Sequence, residues 1–261
     1  MLIFKIKNHV PGSMKRLILL LFIIISFDFV NAQEGEDVGW VARFGIAGGV
    51  NPAYLFPNLD AVNVKAKSLG LNELSNSGLI MWGGSGYAYI MMIENVRLGG
   101  IGLSGSASTS GNTKLLGWNQ EIDYSFGLGG VTVEYTLPFV KFAALSVGSI
   151  IGVGTQSIET YENMGSFTWD NSFPQPEYSS IAGVPASYTK IKNTFFTITP
   201  TLNLDIPLSR FVALRVGGGY IMNFNNSWKV NNGKDISGVP SDLTRNNFFI
   251  QTGIYFGFFA L

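Results

Sequence analysis

The stretch NFFIQTGIYFGFFAL, residues 247–261, decides how the rest of the chain is read. Phe248, Ile250, Ile254, Phe256 and Phe258 fall on one side of an extended strand, with Thr252 their only polar companion. Gln251, Gly253, Tyr255 and Gly257 fall on the other. A two-residue period with so apolar a side predicts a strand with one face in oil. Lying at the chain end, it is the strand expected to close a sheet onto the first.

The front of the chain has another layout. Lys15 and Arg16 follow Met14, an apolar run occupies residues 17–27, and Val30, Asn31 and Ala32 come next. A basic front, a short apolar core and small residues before a cut predict a secretory signal. The run is short for a spanning helix. The expected division is an extension and signal over residues 1–32, with the true start at Met14, and a mature barrel over residues 33–261.

Removing residues 1–32 takes away four of the seventeen basic residues and one of the seventeen acidic ones, which leaves a net charge of −3. That balance gives no basic surface for nucleic acid. The chain has no cysteine, so disulfides, thiolate metal sites and a cysteine nucleophile are excluded. Its one histidine, His9, precedes the expected cut. A histidine-centred acid–base relay therefore cannot be built, and no metal site or cofactor is expected. Glu159 and Glu162 read as solvent-facing charge rather than a glycosidase pair. The expectation is a protein that is not an enzyme.

Working outward from the last strand, seven further alternating stretches can be read: residues 40–50, 79–93, 97–108, 119–135, 139–155, 190–206 and 210–224. Ile101 and Leu103 are expected to point outward. In residues 119–135, Ile122, Tyr124, Phe126 and Leu128 oppose Glu121, Asp123, Ser125 and Gly127, and a bulge with a change of face is expected near Gly129 and Gly130. The connections after the second, fourth and sixth strands are minimal, at residues 94–96, 136–138 and 207–209. Those after the first, third, fifth and seventh are long and polar, at residues 51–78, 109–118, 156–189 and 225–246. An even strand number with alternating short and long connections is the pattern of a bacterial transmembrane barrel. The fold expected is all-β: a closed eight-stranded antiparallel up-and-down transmembrane β-barrel. Within the first long loop, Leu59, Val62, Ala66, Leu69 and Leu74 approximate a helical stripe with Lys65 and Lys67 off it, which predicts a short helix capping or plugging the barrel.

The signal, eight alternating strands, loop asymmetry and aromatic last strand together resemble the small outer-membrane barrels of the OmpA, OmpX and OmpW type. The resemblance covers nearly all of the mature chain and is architectural, without a matched motif. Such chains commonly end in phenylalanine, whereas this one ends in Ala260 and Leu261. The resemblance implies a Gram-negative outer-membrane location, lipid around the barrel and recognition of the last strand by the barrel-assembly machinery.

Small residues are expected to line the interior: Gly45, Ala47, Gly49, Gly84, Gly86, Ala88, Gly100, Gly102, Gly127, Gly148, Gly152, Gly217 and Gly219. They serve either tight coiling of the sheet or an open lumen. Arg43, Arg215, Glu121 and Asp123 are the candidate lumen charges, and unpaired burial would be costly, so they are expected to pair. Phe167, Trp169 and Tyr178 in the third long loop, and Trp228 in the fourth, are candidates for surface contact with a protein or glycan, or for burial in the headgroup layer. Two functions follow: a structural or surface-contact barrel acting through its outer loops, or a porin-like narrow channel or binding barrel for small apolar molecules. A soluble lipocalin-like barrel is disfavoured, because the bulky apolar residues share one face and the small and polar ones the other.

Overall fold

The structure, a computed structural model, describes residues 44–75, 78–90, 92–113, 118–138, 143–164 and 186–260. Its strands are β1 (Phe44–Val50), β2 (Ala53–Phe56), β3 (Leu79–Tyr89), β4 (Val96–Thr113), β5 (Trp118–Thr136), β6 (Ala144–Met164), β7 (Ala186–Pro207), β8 (Val212–Val230), β9 (Lys234–Asp235) and β10 (Asn247–Ala260). One helix, α1 (Asp60–Ser68), follows β2, and a 3-10 turn (Ser241–Thr244) precedes β10. Neighbouring strands run antiparallel from β3 through β8, β8 pairs β10, and β10 pairs both β1 and β2.

β1 and β2 are one strand. Val50 pairs Ile254 and Ala53 pairs Gln251, so the register against β10 passes unbroken through Asn51 and Pro52. Pro52 lacks an N–H to give the ladder. Its carbonyl still accepts from Thr252 N at 3.0 Å, and Asn51 N donates to Gly83 O at 2.9 Å. Counting β1 and β2 together closes a ring of eight strands, with β9 a short addition on β8. Closure leaves no sheet edge inside the ring, which backbone immersed in hydrocarbon requires.

Phe248, Ile250, Ile254, Phe256 and Phe258 all point out of the ring, while Gln251 and Tyr255 are buried inside it. The belt continues with Ile198, Leu202 and Ile206 on β7, Val147, Ile151 and Val153 on β6, and Val131, Val133 and Tyr135 on β5. On β7 it runs from Phe196 to Ile206, close to the roughly 9–11 residues that a tilted strand needs to cross a bilayer. Tight turns join the strands below it, one with Asn95 at φ 62°. The chain is a transmembrane barrel of the outer-membrane type.

Above the belt the ring is lopsided. β3 has 11 residues and β10 has 14, whereas β5 has 19, β6 has 21 and β7 has 22. The long strands overshoot the bilayer by roughly ten residues, on the order of 30 Å along the strand. Here the polarity reverses. Ile122, Tyr124 and Phe126 are buried inside, and Glu121, Asp123 and Ser125 lie on the outer side.

Several sequence expectations are corrected. The register of β5 against β4 and β6 is unbroken from Trp118 to Thr136, so Gly129 and Gly130 hold no bulge and the face does not change. What changes at that level is the surroundings, from water outside to lipid outside. Ile101 and Leu103 are buried inward, and Gly84, Gly86, Ala88, Gly100, Gly102 and Gly127 fall on the outward register. Gly45, Ala47, Gly49, Gly148, Gly152, Gly217 and Gly219 keep the inward register expected of them, among larger inward side chains. The first loop also starts later than expected, and β6, β7 and β8 continue into the residues assigned to the third and fourth long loops.

The mouth is filled by one apolar core. Leu59, just before α1, and Val62 and Ala66 within it join Leu71, Leu74, Met81, Leu103, Tyr124, Phe126, Phe195, Phe249 and Leu243. The Asn63 side chain brackets Leu74, accepting from its N–H at 2.8 Å and donating to its carbonyl at 3.2 Å. Thr109 Oγ1 donates to Asn72 O at 2.9 Å, which ties the same loop to β4. The helix thus seats its stripe across the outer mouth, with Lys65 and Lys67 exposed.

The closing seam supplies a direct test. A Cβ on Gly49 would lie 2.1 Å from Ile254 O, whereas one on Gly102 would meet nothing within 4 Å. Gly49→Val should cost at least the roughly 1–3 kcal/mol of core overpacking and abolish heat-modifiable migration on gels. Gly102→Val should keep that migration; equal behaviour of the two would refute the seam.

Candidate functional site

At the narrow-turn end, four charges are buried in the lumen. Arg97 from β4, Glu134 from β5, Asp205 from β7 and Arg215 from β8 are each at most 4% exposed. Alternation places them: Arg97 shares the inward side of β4 with Leu103, and Glu134 shares that of β5 with Leu128. Asp205 follows Asn203 and Thr201 along β7, and Arg215 follows Ala213 on β8. The register then sets Arg97 beside Glu134 and Asp205 beside Arg215.

The pairs interlock. Arg97 Nε donates to Glu134 Oε2, and its Nη1 donates to Asp205 Oδ2 at 2.5 Å. Arg215 grips Asp205 with Nε at 2.6 Å and Nη2 at 2.9 Å, and reaches Glu134 at 3.5 Å. Two guanidiniums against two carboxylates leave no net charge. Polar side chains take the remaining capacity: Asn203 donates to Glu134 Oε1 at 2.8 Å, Gln251 donates to Asn203 Oδ1 at 2.8 Å, and Arg97 Nη2 donates to Ser146 Oγ. Tyr87 lies under both cations, with its ring centre 4.3 Å from Arg97 Cζ and 4.9 Å from Arg215 Cζ, and Tyr255 covers Arg215 at 4.6 Å. Beside this layer Tyr255 Oη accepts from Asn51 Nδ2 at 2.9 Å and also meets Ser85 Oγ.

A second polar group sits on the outer wall above the belt. Asp123, Glu159 and Lys190 are in register across β5, β6 and β7. Lys190 Nζ lies 2.7 Å from Glu159 Oε1, and Tyr161 and Tyr188 donate to Glu159 Oε2 at 2.7 and 2.9 Å. The Lys190 hydrogen bond, helped by the two phenols, pulls the Glu159 carboxyl down to about 2. Burial, with the neighbouring Glu159 charge, raises that of Asp123.

Among the expected site residues, Arg215 is in the lumen and ion-paired. Glu121 and Asp123 are not; they face outward on the part of β5 that has left the membrane. Trp228 is not a surface-contact residue either. The pairing of β7 with β8 shifts at Thr194 and Phe196, and Asn225 takes a φ of 52°, so the β8 alternation changes and Trp228 turns into the mouth core at 8% exposure. Its indole Nε1 finds no partner among the described residues. Arg43, Phe167, Trp169 and Tyr178 lie outside the described residues. Arg97, Glu134 and Asp205 are lumen charges that the sequence reading missed, although Asp205 follows from continuing the inward Asn203 by two. No group of three or more metal-ligating side chains occurs among the described residues.

No protein-family model matches the sequence, and no curated protein does. Solved structures show a likeness at low identity. The attachment invasion locus protein Ail of Yersinia pestis, in complex with the heparin analogue sucrose octasulfate, is 10% identical over 82% of this chain and 97% of that one, with a TM-score of 0.35. CarO2 of Acinetobacter baumannii is 12% identical over 82% and 99%, at 0.37. A major outer membrane protein of Thermus thermophilus is 8% identical over 82% and 99%, at 0.44. The barrel assignment rests on the strand ladder and the outward belt, not on these likenesses.

Two substitutions separate the lumen charges from the outer-wall ones. Arg97→Ala leaves two buried carboxylates short of a partner and should cost about 3–5 kcal/mol in denaturant unfolding. Glu121→Ala should stay within about 1 kcal/mol; comparable losses would contradict the burial difference. Glu159 gives a pH signature. Its folded pKa is depressed, so its contribution is complete above the unfolded carboxylate value of about 4.3 and is lost as pH falls towards about 2. Between about pH 5 and pH 2 the native barrel should lose stability more steeply than Glu159→Gln, and parallel curves would remove Glu159 from the account.

Proposed function

We propose that this chain is a non-enzymatic outer-membrane barrel with a structural and surface-contact role, exported by the signal in residues 1–32. The carrying observation is that the lumen is occupied at two levels while the wall continues beyond the membrane. The Arg97–Glu134–Asp205–Arg215 layer fills the lower lumen, and α1 with its apolar core fills the mouth. A sheet extending roughly ten residues past the belt has no part in crossing the bilayer, and its polar outer face is available to a surface protein or glycan. Lipid surrounds the belt, and the aromatic lipid face of β10 suits recognition by the assembly machinery. Catalysis is disfavoured by composition, since neither histidine nor cysteine follows residue 32. The competing reading, a narrow channel for small molecules, requires a path past both fillings.

Two measurements decide between these readings. In planar bilayers the purified barrel should give no steady conductance. Cells displaying it should adhere to matrix-protein- or glycan-coated surfaces, and a variant carrying Glu121→Ser, Asp123→Ser and Glu159→Ser should adhere at least several-fold less while still folding. Steady ohmic channels together with unchanged adhesion would reverse the two readings.

A further inference from the structure

On the outer wall where β7 meets β8, the outward side chains rise in matched pairs. Ile198 faces Met222, Phe196 faces Phe224, Thr194 faces Ser227, and Lys192 faces Lys229. The two phenylalanines, both more than 40% exposed, form the upper edge of the apolar belt. Lysines four residues above Phe196 stand roughly 10 Å higher once strand tilt is included, in the layer occupied by lipid headgroups.

Two ammonium groups directly opposite one another on a sheet destabilise it. Here neither forms an ion pair among the described residues, although Asp235 of β9 stands in register with Lys229 on its other side. The contrast is local: Lys190, one outward step above Lys192, is held by Glu159 at 2.7 Å. The shift in pairing that turns Trp228 inward also opens a cleft of about 510 Å³ between these strands. Lys192, Lys229, Thr194, Ser227 and Asn225 line it with cations, hydroxyls and an amide, and Val153 and Phe196 give it an apolar lower wall. Several hydrogen-bond donors around two cations that form no ion pair suit a group with several anionic oxygens. An apolar wall running down into the belt suits a ligand that also carries an acyl chain.

We propose that this cleft binds the phosphorylated headgroup of an outer-leaflet lipid, with the phosphate between Lys192 and Lys229 and an acyl chain along Val153 and Phe196. It deepens the lipid contact named above and rests on the reading that the long strands emerge on the outer side. A bound phosphate would turn the repulsive lysine pair into two ion pairs, locking the barrel vertically at a fixed headgroup depth.

The test uses the full chain refolded in dodecyl maltoside, with phosphatidic acid as the phosphomonoester probe and phosphatidylcholine as its zwitterionic counterpart. Native mass spectrometry should find one phosphatidic acid retained per barrel, and the thermal midpoint should rise with it. The Lys192→Gln/Lys229→Gln protein should bind at least ten-fold more weakly, yet melt no lower than the native chain in detergent alone. Lys65→Gln/Lys67→Gln, which removes the same charge from α1, should bind as the native chain does. Equal weakening by both double variants, equal retention of phosphatidylcholine, or full displacement by millimolar inorganic phosphate would each overturn the proposal. Because the micelle has no sides, this result does not depend on which way the barrel faces in cells, and surface adhesion reports that reading separately.

Discussion

A strand in hydrocarbon has no solvent to bond its N–H and C=O groups, and everything else in this molecule follows from meeting that constraint. The seam between β10 and the interrupted first strand meets it. The register holds from Phe44 opposite Ala260 to Phe56 opposite Phe248, across a proline that cannot donate. Glycines at the seam, such as Gly49 and Gly257, let the backbones approach where any side chain would strike the opposing carbonyl. With the ladder closed, side chains need only match what surrounds them. Over the belt that means apolar outside and, inside, polar groups that pair with one another, with Thr201 Oγ1 and Gln251 Oε1 left without a partner among the described residues. Above it the same strands meet water, and the assignment reverses.

That reversal separates what was legible in the sequence from what was not. The last strand could be read residue by residue, because it lies almost wholly within the belt: Phe248, Ile250, Ile254, Phe256 and Phe258 face lipid, and Gln251 and Tyr255 face in. Strands β4 and β5 could not be read by the same rule. Placing their apolar side in lipid puts Ile101, Leu103, Ile122 and Phe126 outside, and it makes Glu121 and Asp123 into lumen charges. The rule fails because these strands extend into water, where the apolar side faces the core beneath α1. Once that side was misplaced, Arg97 and Glu134 were hidden, since each lies an even number of residues from those core side chains. The helix was legible because Leu59, Val62 and Ala66 keep a helical spacing in any surroundings. The inward turn of Trp228 was not, because it depends on a pairing irregularity that no local signal marks.

The two fillings of the lumen differ in kind. The mouth is closed by burial of large apolar side chains, each worth about 1.5–3 kcal/mol. The lower end is closed by charges whose removal from water is costly and whose pairing offsets that cost only if all four remain. Such an arrangement tolerates loss of a mouth side chain more readily than loss of one arginine. It also fixes the relative positions of β4, β5, β7 and β8, the strands that flank or form the outer wall, so the polar surface above the membrane is held by contacts made near its opposite side.

One unbroken strand face changes from lipid to water along its length, and fluorescence quenching reads that change. The chain has no cysteine, so Ser125→Cys and Val133→Cys would each carry a single fluorophore on the outward side of β5, in barrels reconstituted into vesicles. The probe at position 133 should be quenched by a lipid-borne quencher and not by aqueous iodide, with the opposite result at position 125. Lipid quenching at both positions would mean that the whole strand is immersed, and the wall above the membrane would not exist.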